Sequence, residues 1–265
     1  MESDSTGKHT LFLEERHERI LNLLDRNNTV SISELSELFN VSSATARKDI
    51  RALESDGKLR RTHGGAIKLS DKTEPAFALA EVRAQEEKTR IGHKAAEMVS
   101  NGDTIIVQSG TTAREFIRAL AGRKRLTIIL SDLLLALEAE NLLPDSEIIL
   151  LGGSLRAGYH YTHGTETVRQ LRQYHAPTAF MCSNAFSFEH GIMTHNLTQA
   201  NWVKELLVAS DKHVMMLDST KFGTEAFVHA CDLADLDMLI TDSGLPSSAR
   251  ERLERSTPEL EIVYA

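Results

Sequence analysis

Apolar residues recur at two different spacings along this chain, and the spacing changes near Asn101. Before it, helical spacing dominates. Leu35, Leu38 and Phe39 share one face of a short helix that Ser33 can cap. Ala46, Ile50 and Leu53 share one face of the next, with Ser42 or Ser43 as its start and Gly57 as its end. Two short β-like pieces then flank Gly64-Gly65, which predicts a hairpin. After Asn101, short apolar runs alternate with helical segments. Thr104–Val107 precedes a helix over Thr111–Leu120, Leu126–Leu130 precedes Leu133–Glu140, and Glu147–Leu151 precedes Gly164–Tyr174. Further runs follow at Thr178–Met181, His213–Leu217, Met238–Ile240 and Glu261–Tyr264. Runs of this kind with helices between them predict an α/β fold with a mainly parallel sheet.

The pattern divides the chain into a tail over 1–12, a small domain over 13–69, a linker and bridging helix over 70–88, and a larger domain over 89–265. No internal repeat or low-complexity segment interrupts it.

The polar faces carry the chemistry. Arg47, Lys48 and Arg51 lie opposite the apolar stripe of the helix that contains Ala46. Two helices joined by a tight turn over about 30–49, the second basic on its exposed side, form a helix-turn-helix that can enter a major groove. The hairpin behind it carries Arg60, Arg61, His63 and Lys68, as a wing would. The candidate DNA contacts are Ser43, Thr45, Arg47, Lys48, Arg51, Arg60, Arg61 and His63. Arg47 and Thr45 are expected to read bases, and Lys48, Arg51, Arg60 and Arg61 to position the chain on phosphates. The competing reading is an amphipathic surface helix with solvated charges.

The net charge of −8 by itself argues against nucleic-acid binding, and its distribution reverses that argument. Val41 to Leu69 is +4 by itself, while the remainder of the chain beyond residues 14–69 is −9. A locally basic face on an acidic body suits a sequence-specific binder that must not adhere to all DNA.

In the larger domain, polar turns fall where strands would end, which is where open α/β sheets bind ligands. Gln108-Ser109-Gly110-Thr111-Thr112 opens a helix, and its N–H groups and hydroxyls suit a phosphate. Ser131, Gly152-Gly153 and Lys221 occupy later turns, and Gln199 and Lys204 lie on a helix nearby in order. In this reading Lys204 and Lys221 close the charge around an anion, while Gln108 and Gln199 face the neutral part of the ligand.

The small domain resembles the winged helix-turn-helix of the DeoR family of bacterial sugar-metabolism regulators. The resemblance rests on Arg16, Ile20, Ser33, Leu35, Phe39, Val41-Ser42, Thr45, Arg47, Asp49, Leu53, Gly57 and Arg61-Thr62-His63-Gly64-Gly65-Ala66. It continues through Ser109-Gly110-Thr111-Thr112, Gly152-Gly153, Ala200 with Lys204, and Asp218 with Lys221-Phe222. The chain departs from the family pattern at Ala46, Lys48, Gln108, Leu130 and Gln199. At Gln108 and Gln199 amides replace carboxylates. The resemblance implies a cytoplasmic bacterial repressor that binds double-stranded operator DNA, responds to a phosphorylated sugar or related metabolite, and forms a homo-oligomer, dimer or tetramer.

The family's sensor fold is similar to that of sugar-phosphate isomerases, so an isomerase with an appended DNA-binding domain is the alternative. Enediol chemistry needs a positioned carboxylate base. The segment expected at that place, Cys182-Ser183-Asn184-Ala185-Phe186-Ser187-Phe188, has none before Glu189. No enzyme activity, cofactor or metal is therefore expected. His160, His163, His190 and His195 lack metal-ligand spacing, and Cys182 and Cys231 are expected as small core residues. No apolar run approaches the ~18 residues of a membrane span, and no signal peptide opens the chain.

Overall fold

The computed structural model describes residues 13–27, 29–56, 58–62, 64–68, 80 and 82–265. The expected tail, Gly57, His63 and most of the expected linker lie outside the described residues. The chain divides into two compact units between residues 70 and 71.

The first unit runs α1 (Leu13–Asn27), β1 (Thr29–Ser31), α2 (Ile32–Phe39), α3 (Ser43–Ser55), β2 (Leu59–Arg61) and β3 (Gly65–Lys68). Ile20, Leu24, Leu35, Phe39, Ala46, Ile50 and Leu53 interlock as its core. Leu38, expected on the apolar face of α2, is exposed instead, because Leu35 and Phe39 alone define the buried stripe. The cap of α2 is Ser31 and not Ser33. Glu34 stands three residues after Ser31, so side chain and backbone satisfy each other reciprocally as a capping box. The tight turn forms at Asn40, which takes a left-handed conformation at φ 51°. Ser42 then caps α3 by accepting the Thr45 N–H at 3.1 Å. β1 was not legible as a strand. It adds to the hairpin and makes a three-stranded sheet in the order β1-β3-β2.

The second unit begins with α4 (Gln85–Ala96), the helix expected to bridge the domains. It belongs to this unit: Ile91, Ala95 and Ala96 pack into a core with the sheet and the following helix. β4 (Thr104–Val107), α5 (Thr111–Ala119), β5 (Thr127–Leu130), α6 (Leu133–Leu142) and β6 (Glu147–Leu150) follow. A small hairpin, β7 (Ser154–Leu155) with β8 (Thr162–His163), leads to α7 (Thr165–Leu171) and β9 (Ala176–Cys182). Next come β10 (Ala185–Ser187), β11 (Gly191–Thr194), α8 (Leu197–Val208), β12 (Ser210–Met216) and β13 (Val228–Cys231). The unit ends with β14 (Met238–Thr241), α9 (Ser247–Ser256) and β15 (Glu261–Tyr264).

Seven strands form one parallel sheet in the order β15-β14-β12-β9-β4-β5-β6. Helices cover both faces, which is why its central strands read as unbroken apolar runs. A separate antiparallel sheet, β10-β11-β13, lies outside the expected pattern. The winding order locates the site. The chain starts at β4, moves outward to β5 and β6, then returns to β9 on the other side of β4. That reversal opens a crevice beyond the carboxyl ends of β4 and β9. Among the described residues, no helix is long and apolar enough to cross a membrane.

Candidate functional site

In the first unit, α3 exposes Ser43, Arg47, Lys48 and Arg51 along one side. Thr45 is half-buried, and its hydroxyl lies 2.9 Å from that of Ser42 at the helix start. The Arg61 guanidinium is ion-paired to Glu54 at 2.6 Å, and the Arg61 N–H donates to the same carboxylate at 3.1 Å. This couples β2 to α3, so a phosphate contact by Arg61 has to displace or share Glu54. Arg60 lies in β2, and His63 falls outside the described residues.

Beneath this face sits Asp49, with 1 % exposure. Arg16 grips it with two hydrogen bonds of 2.8 and 3.1 Å, which raise the guanidinium pKa further. His17 Nε2 lies 3.6 Å from the same carboxylate. The pair fastens α1 to α3 and thereby fixes the angle at which the basic face is presented. Arg16 and Asp49 thus support the interface from below.

In the second unit, two adjoining chambers open at the crevice. The inner one, about 80 Å³, is lined by the turn Gln108–Thr112 after β4 and by Cys182, Ser183 and Asn184 at the end of β9. Lys88, Lys221, Tyr159, Tyr161, Gln199 and Ala80 complete it. Gly110 holds φ at +145° and makes no side-chain cap, so the first N–H groups of α5 are presented beside the hydroxyls of Ser109, Thr111 and Thr112. Helix N-termini of this kind favour anions.

Lys88 is the surprise of this chamber. It is 2 % exposed, and its ammonium donates to the carbonyls of Ala80 and Arg83. An ammonium has three N–H donors, so one remains. Burial drags its pKa down to about 8, against the pull of Asp218, with Lys221 lowering it further. Lys221 is shifted down as well, chiefly by burial. Two cations drawn out of water near a helix N-terminus are an arrangement that can hold an anion. Burial pushes the Cys182 thiol up to about 12, so it is a packing group and no nucleophile.

The outer chamber, about 470 Å³, shares Gln108, Ser109, Tyr161 and Gln199 with the inner one. Ser131, Thr162, His163, Arg172, Trp202, Lys204 and Glu205 are among its walls. The sequence-based candidates therefore separate. Gln108, Ser109, Gly110, Thr111, Thr112, Gln199 and Lys221 line the inner chamber. Ser131 and Lys204 line only the outer one, so Lys204 does not stand with Lys221 around one anion. Gly152 and Gly153 line neither. The Gly152 N–H donates to Gln170, and its carbonyl accepts from Thr167. A Cβ on Gly153 would lie 2.1 Å from the Thr167 hydroxyl. That glycine pair is a packing device for α7. His195 lines neither chamber, whereas His163 lines the outer one.

Residues 16–72 match the DeoR-like helix-turn-helix domain, and residues 83–243 match the DeoR C terminal sensor domain. The chain belongs to the DeoR family of transcriptional regulators. It is 34 % identical to the uncharacterized HTH-type transcriptional regulator YulB of Bacillus subtilis, over 92 % of this chain and 94 % of that protein. It is 32 % identical to the regulator GolR of Listeria innocua, over 92 % of this chain and 96 % of that one. The glycerol-3-phosphate regulon repressor of Escherichia coli is 28 % identical, over 94 % and 98 %. The chain has some likeness to ribose 5-phosphate isomerase A from Methanocaldococcus jannaschii, with a TM-score of 0.39, 16 % identity, and coverage of 52 % of this chain and 55 % of that one. Full-length relatives named as regulators and repressors place this DeoR-family chain with DNA-binding regulators, not with enzymes.

Sequence reasoning missed Lys88, Tyr159, Tyr161, Ser183 and Asn184 as chamber walls. Lys88 had a readable signal. It shares a helical face with Ile91 and Ala95, so a lysine occupies a core-facing position of α4. Asn184 lay in a segment searched only for carboxylates. The tyrosines sit in a loop between β7 and β8, where no periodicity points to them.

Proposed function

We propose that this protein is a cytoplasmic repressor of a carbohydrate or polyol operon, released from operator DNA by a phosphorylated metabolite. The observation that carries the reading is the inner chamber. Lys88, Lys221 and the open N-terminus of α5 meet around the hydroxyls of Ser109, Thr111 and Thr112. A phosphate dianion can accept from these donors together, the Thr111 hydroxyl exchanging its 3.4 Å bond to the Ala80 carbonyl for one to the phosphate. Relatives named for an aga operon and for the glycerol-3-phosphate regulon support the same class of pathway.

Arg47 and Thr45 would read base edges, with Lys48, Arg51, Arg60 and Arg61 on phosphates. A two-fold operator calls for a homo-oligomer, because each winged helix covers one half-site. Control then follows from linkage: the effector must bind more tightly to the form of the protein that binds DNA less well. The test is release of labelled operator fragments by a panel of sugar and polyol phosphates. Lys221→Gln should raise the releasing concentration at least ten-fold. Release of wild type and Lys221→Gln at the same concentration would place the effector elsewhere.

A further inference from the structure

Gln108 stands where the two chambers meet, and its amide has only one permitted orientation. Its Oε1 accepts the backbone N–H of Cys182 at 3.1 Å. A backbone N–H can be met only by an acceptor, so the amide cannot be flipped. Gln108 lines both chambers, and with Oε1 engaged, Nε2 is the end of the amide left to meet a ligand. Among the described residues it has no hydrogen-bond partner. A carboxylate at this position would also accept from Cys182, but its second oxygen would face the ligand as a negatively charged acceptor. Gln108 presents a donor in its place.

The surrounding charges point the same way. Among the described residues, no carboxylate lines the inner chamber. Among the same residues Glu205 is the one carboxylate of the outer chamber, and Arg172 holds both its oxygens at 2.8 and 2.6 Å. Lys204 lines that chamber too, exposed and without a carboxylate partner among the described residues. A ligand hydroxyl meeting Gln108 Nε2 gains an ordinary neutral hydrogen bond. A ligand carboxylate gains a charge-assisted one, roughly twice as strong, and an ammonium in the same chamber.

Resting on the phosphorylated-effector reading above, we propose that the effector is a phosphorylated carboxylic acid. Its phosphate occupies the inner chamber, and its carboxylate faces Gln108 Nε2 and Lys204. The amide at 108 is thus a specificity determinant that turns the site from hydroxyl recognition to acid recognition.

Calorimetry on the full chain with two matched pairs tests this: 6-phosphogluconate against glucose 6-phosphate, and 3-phosphoglycerate against glycerol 3-phosphate. In at least one pair the acid should bind ten-fold or more tightly than its neutral partner. Gln108→Glu should bring that ratio to unity or below, and Lys204→Ala should weaken the acid while sparing the neutral partner. Should Gln108→Glu not fold, the wild-type ratio and Lys204→Ala decide. A neutral partner that binds as well as or better than the acid in every pair overturns the proposal. So does an acid preference that both variants leave unmoved. Inorganic phosphate separates the two levels of the argument. Binding of phosphate without any of the four organic phosphates defeats the acid proposal alone. Failure of all five probes at millimolar concentration defeats the phosphorylated-effector reading itself.

Discussion

The two units of this protein handle charge in opposite ways. The winged helix exposes Arg47, Lys48, Arg51 and Arg61 and, among the described residues, buries one carboxylate, Asp49, engaged by Arg16. The sensor unit withdraws the cations it would use from water, Lys88 fully and Lys221 in part, and also buries a carboxylate, Asp132, whose Oδ2 has no hydrogen-bond partner among the described residues. The difference matches the ligands. A DNA duplex is a large polyanion, and solvated cations meet it by releasing counterions, with no need for a dry cavity. A single small anion is held selectively only where water is excluded and the field is strong. The cost of that arrangement is desolvation, visible as a lysine whose pKa has fallen to about 8.

The largest effect expected from this contrast is at Asp49. Removing one partner of a buried ion pair costs about 3–5 kcal/mol. Asp49→Ala should therefore unfold or severely destabilise the first unit, and the loss should appear in thermal melts and in operator binding together. Arg47→Ala should act differently. It should lower affinity for a preferred operator by about 1–3 kcal/mol and relax base preference, with the melt unchanged. If Asp49→Ala melts like wild type, the clamp under the basic face is not structural. If Arg47→Ala binds every sequence as before, α3 does not read DNA.

These two residues also show what could be read from the chain. Arg47, Lys48 and Arg51 were legible because a helix with an apolar stripe leaves only one place for its cations. Most strands of the large sheet were legible for a similar reason: burial on both faces gives unbroken apolar runs. The role of Asp49 was not legible, since its partner Arg16 is 33 positions away. The chambers were half legible. The turn Gln108–Thr112 announces itself by composition, but Lys88 comes from a helix that precedes the whole sheet. Lys204, close to Gln199 in sequence, belongs to a different chamber from Lys221. Pairings that depend on tertiary distance leave little periodic trace.

A buried carboxylate without full pairing should behave in the reverse sense to Asp49. Asp132 Oδ1 caps α6 by accepting from Leu134 and Leu135 at 2.9 and 3.1 Å. Burial raises its pKa from 3.8 to about 6, despite those two bonds. The folded form therefore binds the proton more strongly than the unfolded form does. Stability from this group is highest below pH ~4 and is lost as pH rises through 6. Asp132→Asn keeps the capping oxygen and removes the buried charge. It should gain on the order of 1–3 kcal/mol at pH 8, with the gain shrinking as pH falls below 6. A variant less stable than wild type at pH 8 would mean that the charge itself is needed, through Arg114 or His160 nearby.

The smallest effect concerns Lys88 and is read as the pH dependence of effector binding. The groups acting on it are Asp218, Lys221, Cys182 and Arg83. Its folded pKa is depressed from 10.5 to about 8, so burial of the ammonium costs stability below pH 8, and that cost fades as pH rises toward 10.5. The effector sees the opposite trend. It needs the charged ammonium, which is present below pH 8 and lost above it. Affinity for a phosphorylated ligand should rise through about pH 6 as the phosphate becomes a dianion, level off near about pH 7, and fall about ten-fold between about pH 7 and 9, or about 1.4 kcal/mol. The second ionisation of a phosphate, near pH 6, lies below this window and does not mimic it. Lys221 is shifted the same way, chiefly by burial. Lys88→Met should bind more weakly at pH 7 and show a shallower profile through pH 8. Wild-type affinity that stays level from pH 7 to 9 would mean that the buried ammonium serves only the carbonyls of Ala80 and Arg83. The contrast between the two units would then reduce to one of burial without electrostatic function.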